Sequence, residues 1–185
     1  MLKYVVKFIL DNCHEELEFL DSFVEKGLIE KLEKLVNSKA VRITHHEAIT
    51  YLKESGKKFE FEPEYGEDLA REHEKYLTEE KFNSPVFVYD WPKDMVVAVD
   101  LLVLGSGELM GGSQREERFD VLSERMDMMN VSKEGLYWYL NLRKYGGCVH
   151  SGFGMGFERL IMYLTGIENI RDVIPYPRTP ENCEF

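Results

Sequence analysis

Three groups of residues in this 185-residue sequence have the types and spacing to do chemistry. The first is Gly152-x-Gly154-x-Gly156 with Arg159 just beyond it. Glycines without a Cβ let a planar ligand lie against the backbone, and a guanidinium in the first turn of a following helix adds fixed positive charge to the helix N-terminus, which suits a triphosphate. It is not a dinucleotide fingerprint, because G-x-G-x-x-G needs glycine where Phe157 stands, and the Gly-Lys-Ser/Thr ending of a P-loop is missing. The competing reading is tight backbone packing. The second group is Asp100 and Glu108, which flank the apolar strand and glycine turn Leu101-Leu-Val-Leu-Gly-Ser-Gly107. Carboxylates beside such a run are costly unless paired or bound to metal, and oxygens at two points of a hairpin suit Mg²⁺ bridging nucleotide phosphates. Taken singly, each also reads as a surface acid at a strand end. The third, Gly111-Gly-Ser-Gln-Arg-Glu-Glu-Arg118, combines glycines for close approach with a hydroxyl and a guanidinium; it could bind a small polar substrate or form a solvated helix face. His45-His46-Glu47 fails as a zinc motif, since H-E-x-x-H would need histidine where Thr50 stands, and its histidines read as surface residues. Trp91, Tyr137, Trp138 and Tyr139 read as core.

Leu2, Val5, Val6, Ile9, Leu10, Cys13, Leu17 and Leu20 recur at helical spacing, and Leu28, Ile29, Leu32, Leu35 and Val36 resume it after a break near Gly27. Val41 to Ile43 alternates as a short strand and runs into a capping box, Thr44-His-His-Glu47, that opens a helix to about Glu54. A polar helix is expected from Glu67 to about Phe82. Val86 to Tyr89 and Met95 to Leu104 read as strands bounded by Pro85, Pro92 and a glycine turn. Glu108 to Met110 is a further strand before a Gly111-Gly112 kink. Helices follow from Glu116 to Met129, from a Ser132 cap to Tyr145, and from Phe157 to Leu164, the last ended by Thr165-Gly166. The short links predict an antiparallel sheet, and with its flanking helices an α+β fold.

Composition narrows the classes. Hydrophobic residues make up 44% and charged residues 31%, which excludes disorder and low complexity for the whole chain. A formal net charge of −11 has the wrong sign for a chain whose main task is wrapping a phosphate backbone. Three cysteines without a C-x-x-C pair indicate neither a disulfide framework nor a zinc cage, and a reduced, cytoplasmic setting is the expectation. No apolar run approaches a membrane span. Met1-Leu-Lys-Tyr4 reads as the middle of a helix, as if a segment preceded it.

The Gly111 to Arg118 block, His150-Ser-Gly-Phe-Gly-Met-Gly-Phe-Glu-Arg159 and Asn169-Ile-Arg-Asp-Val-Ile-Pro-Tyr-Pro-Arg-Thr-Pro180 together resemble the asparaginyl-tRNA synthetases, a branch of the class II aminoacyl-tRNA synthetases. Glu116-Glu117 favours this branch over the aspartyl one, which typically has Ile-His there. The resemblance implies a class II catalytic fold and a two-step reaction: ATP-dependent activation of asparagine, then transfer to tRNA-Asn. It implies that Arg159 holds the γ-phosphate of ATP and serves catalysis. Asp100 and Glu108, with Ser113, would bind Mg²⁺ on the phosphates. Gly152, Gly154 and Gly156 would floor the adenosine pocket, and Arg115 would meet the side-chain carbonyl of asparagine. An arginine alone favours aspartate, so amide selection needs an acceptor that the family supplies from an upstream segment.

By the same resemblance, residues 1–185 correspond to the C-terminal portion of the catalytic domain. The anticodon-binding domain, motif 1 and motif 2 are missing, and about a dozen residues are missing between Asp94 and Met95. The family implies a homodimer through motif 1. Without the motif 2 arginine, which clamps the α-phosphate, weak or no activity is expected of these residues alone. The other readings are a non-catalytic paralogue that binds nucleotide or a partner, and an adenylate-forming amino-acid ligase without tRNA.

Overall fold

The structure is a computed structural model that describes residues 1–92 and 97–181. Five strands form one sheet in the order β1 (Val41–Thr44), β2 (Val86–Tyr89), β3 (Ala98–Val103), β4 (Gly107–Gln114), β5 (Ser151–Met155). β2 to β5 are antiparallel to their neighbours, as expected, but β1 pairs parallel with β2. The expectation of a wholly antiparallel sheet fails here because residues 45–85 supply a helical crossover long enough to return the chain in the same direction.

One face of the sheet is covered by α1 (Leu2–Asn12), α2 (His14–Phe23), α3 (Leu28–Asn37) and α8 (Phe157–Thr165). Their apolar stripes, Leu2, Val6, Leu17, Leu28, Leu32 and Leu35 with Leu160, Tyr163 and Leu164, bury Leu101, Val103 and Leu109 of the hairpin. The first helix breaks at Cys13, which the apolar spacing did not signal, and again at Gly27, whose φ of 88° suits glycine. The opposite face packs Ile43, Val86, Val88 and Leu102 against α4 (His45–Glu54), Leu77 and Trp91. α4 starts with the expected capping box: Glu47 N donates to Thr44 Oγ1 at 3.1 Å and Thr44 N to Glu47 Oε2 at 2.7 Å, so two free amides of the first turn are satisfied.

The polar stretch resolves into α5 (Arg71–Lys75) continued by a π-helical segment, Tyr76–Lys81. Further along, α6 spans Phe119–Met128 and α7 Tyr137–Lys144, the latter starting four residues later than the Ser132 cap implied. The Gly111-Gly112 kink is not there, since β4 runs through both glycines. The expected start of β3 at Met95 and the junction after Asp94 lie outside the described residues.

Two burial expectations reverse. His45 is fully buried, its ring 4.5 Å from that of Trp91 and its Nε2 donating to the Glu67 carbonyl at 3.0 Å, so it anchors the 57–70 loop. Burial lowers its pKa. Tyr137 and Trp138 are 63% exposed on α7, Tyr139 is half-buried beneath the Arg143 guanidinium, and Trp91 alone of the four is in the core. No helix among the described residues is long and apolar enough to cross a membrane.

Candidate functional site

The site occupies the part of the second sheet face that α4 leaves uncovered. Strand pairing places its floor: Asp100 lies opposite Gly111, Gly111 opposite Gly154, and Ser113 opposite Gly152, so all five share one face. A side chain at Gly111 would enter the site, because a Cβ there would sit 2.8 Å from Glu108 Oε1 and 3.2 Å from Asp100 Oδ1. Asp100 and Glu108 therefore converge over one glycine, although they stand eight positions apart in sequence. A register shift at Leu101/Leu102 sets this up, pairing Leu102 with Glu108 and leaving Leu109 over.

Arg159 comes from the first turn of α8, behind Gly156. Its Nη1 donates to the Glu108 carbonyl at 3.2 Å and stands 3.9 Å from Glu108 Oε2. The exposed guanidinium thus reaches the hairpin carboxylate from the far side. Around Arg159, Glu108, Glu74 and Arg71 opens a cavity of about 1000 Å³, large enough for a nucleotide. At the other end nothing lies within 4 Å of a Cβ built on Gly154, so the glycine floor is open. Gly152 and Gly154 belong to β5 rather than to a turn, and Gly156 is the residue that caps α8. Arg115 spreads over Gly152, with Nε and Nη2 both 3.6 Å from a Cβ built there, and its N–H donates to the His150 carbonyl at 2.9 Å. Ser113 lies one strand repeat from Gly111, about 7 Å along the same face.

Glu74 on α5 was not singled out in the sequence. Its Oε2 accepts from the Glu108 N–H at 3.2 Å. Burial, with the charges of Glu108 and Asp100 adding to it, pushes its pKa up to about 7. Asp100 is pushed up to about 6 by burial and by the charges of Glu108 and Asp68. Nothing in Arg-Glu-His-Glu-Lys separates Glu74 from a solvated helix charge, and only the fold could reveal it. Outside this centre, Arg118 donates from Nε and Nη2 to the two carboxylate oxygens of Glu116 and holds that carboxyl down to about 2.

Both raised carboxyls bind their proton more tightly when folded than when unfolded. Their contribution to stability is complete below the ordinary carboxyl range and is lost as pH rises through about 6 to 7. Glu74→Gln keeps an acceptor oxygen without the charge. Its melting temperature relative to the parent is expected to rise between pH 5 and pH 8, as read from thermal melts at the two values. A constant difference would refute the assignment.

Among the described residues, no three His, Cys, Asp or Glu side chains are grouped to hold a metal by themselves. The pair Asp100 and Glu108 fits a different mode. Mg²⁺ commonly takes one or two carboxylates and completes its octahedron with phosphates and water. Two half-buried carboxylates held against each other, one with a raised pKa, are a site whose repulsion a divalent cation would relieve.

The profile of the family described as tRNA synthetases class II (D, K and N) matches residues 1–180. The asparagine--tRNA ligase of Acholeplasma laidlawii (strain PG-8A) is 58% identical over 198 aligned positions, which take in 100% of this chain and 43% of the relative. That of Clostridium perfringens (strain 13 / Type A) is 56% identical with the same coverage. The 198 positions exceed the chain's 185 residues by 13, in keeping with an internal gap. Among solved structures, asparaginyl-tRNA synthetase from Pyrococcus horikoshii complexed with asparaginyl-adenylate superposes with a TM-score of 0.81 at 33% identity, covering 98% of this chain and 43% of that one. The chain thus spans less than half the length of the proteins it matches. With the matched profile running through the strands, the paired carboxylates, the glycine floor and Arg159, the chain belongs to the class II tRNA synthetases of the D, K and N group.

Proposed function

We propose that these residues form the ATP- and asparagine-handling portion of an asparagine–tRNA ligase. The single observation that carries the asparagine assignment is the 58% identity to the Acholeplasma enzyme across the whole chain. In this reading a carboxylate oxygen of asparagine attacks the α-phosphorus of ATP, forming asparaginyl-adenylate and releasing pyrophosphate. A 3′-terminal ribose hydroxyl of tRNA then attacks the acyl carbon and releases AMP. Neither step calls for a protein nucleophile, so the residues act by position and charge.

Gly152 and Gly154 let the adenosine approach the sheet, with Gly156 and α8 beyond them. Arg159 pairs with the terminal phosphate at the cavity end. Asp100 and Glu108, with Ser113 on the same face, would hold Mg²⁺, which when bound neutralises phosphate charge. Arg115, spread above Gly152, donates to the side-chain carbonyl of asparagine. The reading also takes residues 1–185 as the C-terminal part of a catalytic domain, acting in a cytoplasmic enzyme whose homodimer contacts and most tRNA contacts lie in other segments.

The test is calorimetry with a non-hydrolysable asparaginyl-adenylate analogue, beside asparagine-dependent ATP–pyrophosphate exchange. Binding of the analogue, abolished in Arg115→Ala, is expected, with exchange by the 185-residue chain alone weak or undetectable. Failure to bind the analogue would overturn the proposed function. Robust exchange would overturn the need for a further α-phosphate clamp.

A further inference from the structure

The Gly105-Ser106-Gly107 turn, which joins the two strands carrying Asp100 and Glu108, is held at both ends by carboxylates from one helix. Glu74 Oε2 accepts from Glu108 N at 3.2 Å, and Glu79 Oε1 accepts from Gly105 N, also at 3.2 Å. Both glycines have positive φ, 80° and 76°, so the turn has a defined shape to hold. Contact with Glu74 is tight: a Cβ on Gly107 would collide with its carboxylate oxygen.

Glu74 and Glu79 are five residues apart. In a regular α-helix such residues diverge by about 140° and could not serve one turn. The helix changes from α to π at Tyr76, between the two. Bonding from i to i+5 takes one more residue into each turn and brings residues five apart back to one face. Phe82 N bonds the Leu77 carbonyl in this pattern. Thr78, fully buried, donates its hydroxyl to the Glu74 carbonyl at 2.8 Å, satisfying an acceptor at the transition.

We propose that the α-to-π switch at Tyr76 is a registration device and that Glu74 is a positioning residue. The switch aims Glu74 and Glu79 at the hairpin turn, and their grip fixes Glu108 where its carboxylate meets that of Asp100 over Gly111, beside Arg159. This deepens the proposed function, on which it rests for the identity of the ligand. Groups that orient metal ligands typically change affinity or activity 10- to 100-fold when removed.

Glu74→Ala and Glu74→Gln are titrated calorimetrically with ATP, once with Mg²⁺ and once with EDTA, and amide hydrogen exchange is followed at Gly105 and Glu108. Glu74→Ala is expected to weaken ATP binding about tenfold with Mg²⁺ and to leave the EDTA value unchanged. Glu74→Gln, which keeps an acceptor oxygen, should restore binding. Exchange at Glu108 should quicken in the alanine variant only. Equal losses with and without metal would mark a general structural defect and overturn the proposal, as would unchanged affinity. If the parent chain binds no ATP with Mg²⁺, the proposed function falls. The clamp is still decided by exchange, since an unaltered Glu108 amide in Glu74→Ala overturns it and a quickened one upholds it.

Discussion

Arg159→Ala is expected to weaken ATP binding in the presence of Mg²⁺ by about 10- to 100-fold, while the affinity for AMP stays where it was. The magnitude follows from a charge-assisted hydrogen bond of about 1.5–3 kcal/mol, at about 1.4 kcal/mol per tenfold. The selectivity follows from position. Arg159 leaves α8 at the cavity end of the site, reaching the Glu108 carbonyl at 3.2 Å, whereas the glycine floor lies along β4 and β5. A ligand lacking the outer phosphates has nothing for this guanidinium to hold. Stability should hold, because the side chain is 57% exposed and its neighbours Leu160 and Tyr163 do the packing. Arg159→Lys should recover affinity only in part, since an ammonium lacks the planar fork that meets a phosphate and a carbonyl together. Equal losses for ATP and AMP would place Arg159 elsewhere in the site and refute this assignment.

The second large effect is a loss of function without a loss of fold. In Gly111→Ala the new Cβ would fall 2.8 Å from Glu108 Oε1 and 3.2 Å from Asp100 Oδ1, and side-chain ends can swing away at little cost. Gly111 has no positive φ, and an alanine within a strand gains roughly 0.5–1 kcal/mol over glycine. The melting temperature should therefore hold or rise. The two carboxylates, however, can no longer converge, and a misplacement of about 1 Å in such a site can cost about 10²-fold. Calorimetry should show ATP binding with Mg²⁺ falling by one to two orders of magnitude, with binding in EDTA little changed. A stable Gly111→Ala protein with parental Mg²⁺-dependent affinity would mean that this convergence holds no metal.

Which parts of this were legible in the sequence depends on the range of the interaction. Periodicity marked α1 and α3, the glycine block before Phe157 marked the start of α8, and local capping chemistry marked Thr44 and Gly166, because neighbours a few residues apart set those features. The residues of the site were legible too: Asp100, Glu108 and Arg159 stood out as charges set against apolar runs and glycines. That Asp100 and Glu108 work as a pair was expected from the hairpin, but how they meet was not, since it depends on a register shift at Leu101/Leu102 that no local signal announces. Glu74 was hidden for the same reason, being one acid among many on a polar helix until the fold sets it against the Glu108 amide. His45 and Trp138 were misjudged in opposite directions. A polar ring can be buried when a carbonyl such as that of Glu67 receives its N–H, while the large apolar face of an indole is no guarantee of a partner.

The core on the first sheet face has a consequence for how the chain is made. Its apolar residues come from both ends of the sequence: Leu2 to Leu35 supply one half, while Leu101, Val103, Leu109, Leu160, Tyr163 and Leu164 supply the other. A ribosome delivers the first half at about 5–20 residues per second, so the apolar stripes of α1 to α3 wait several seconds or longer before α8 emerges to cover them. Between the making of α3 and the making of α8, those stripes are therefore the apolar surface that a holding chaperone would meet on the nascent chain.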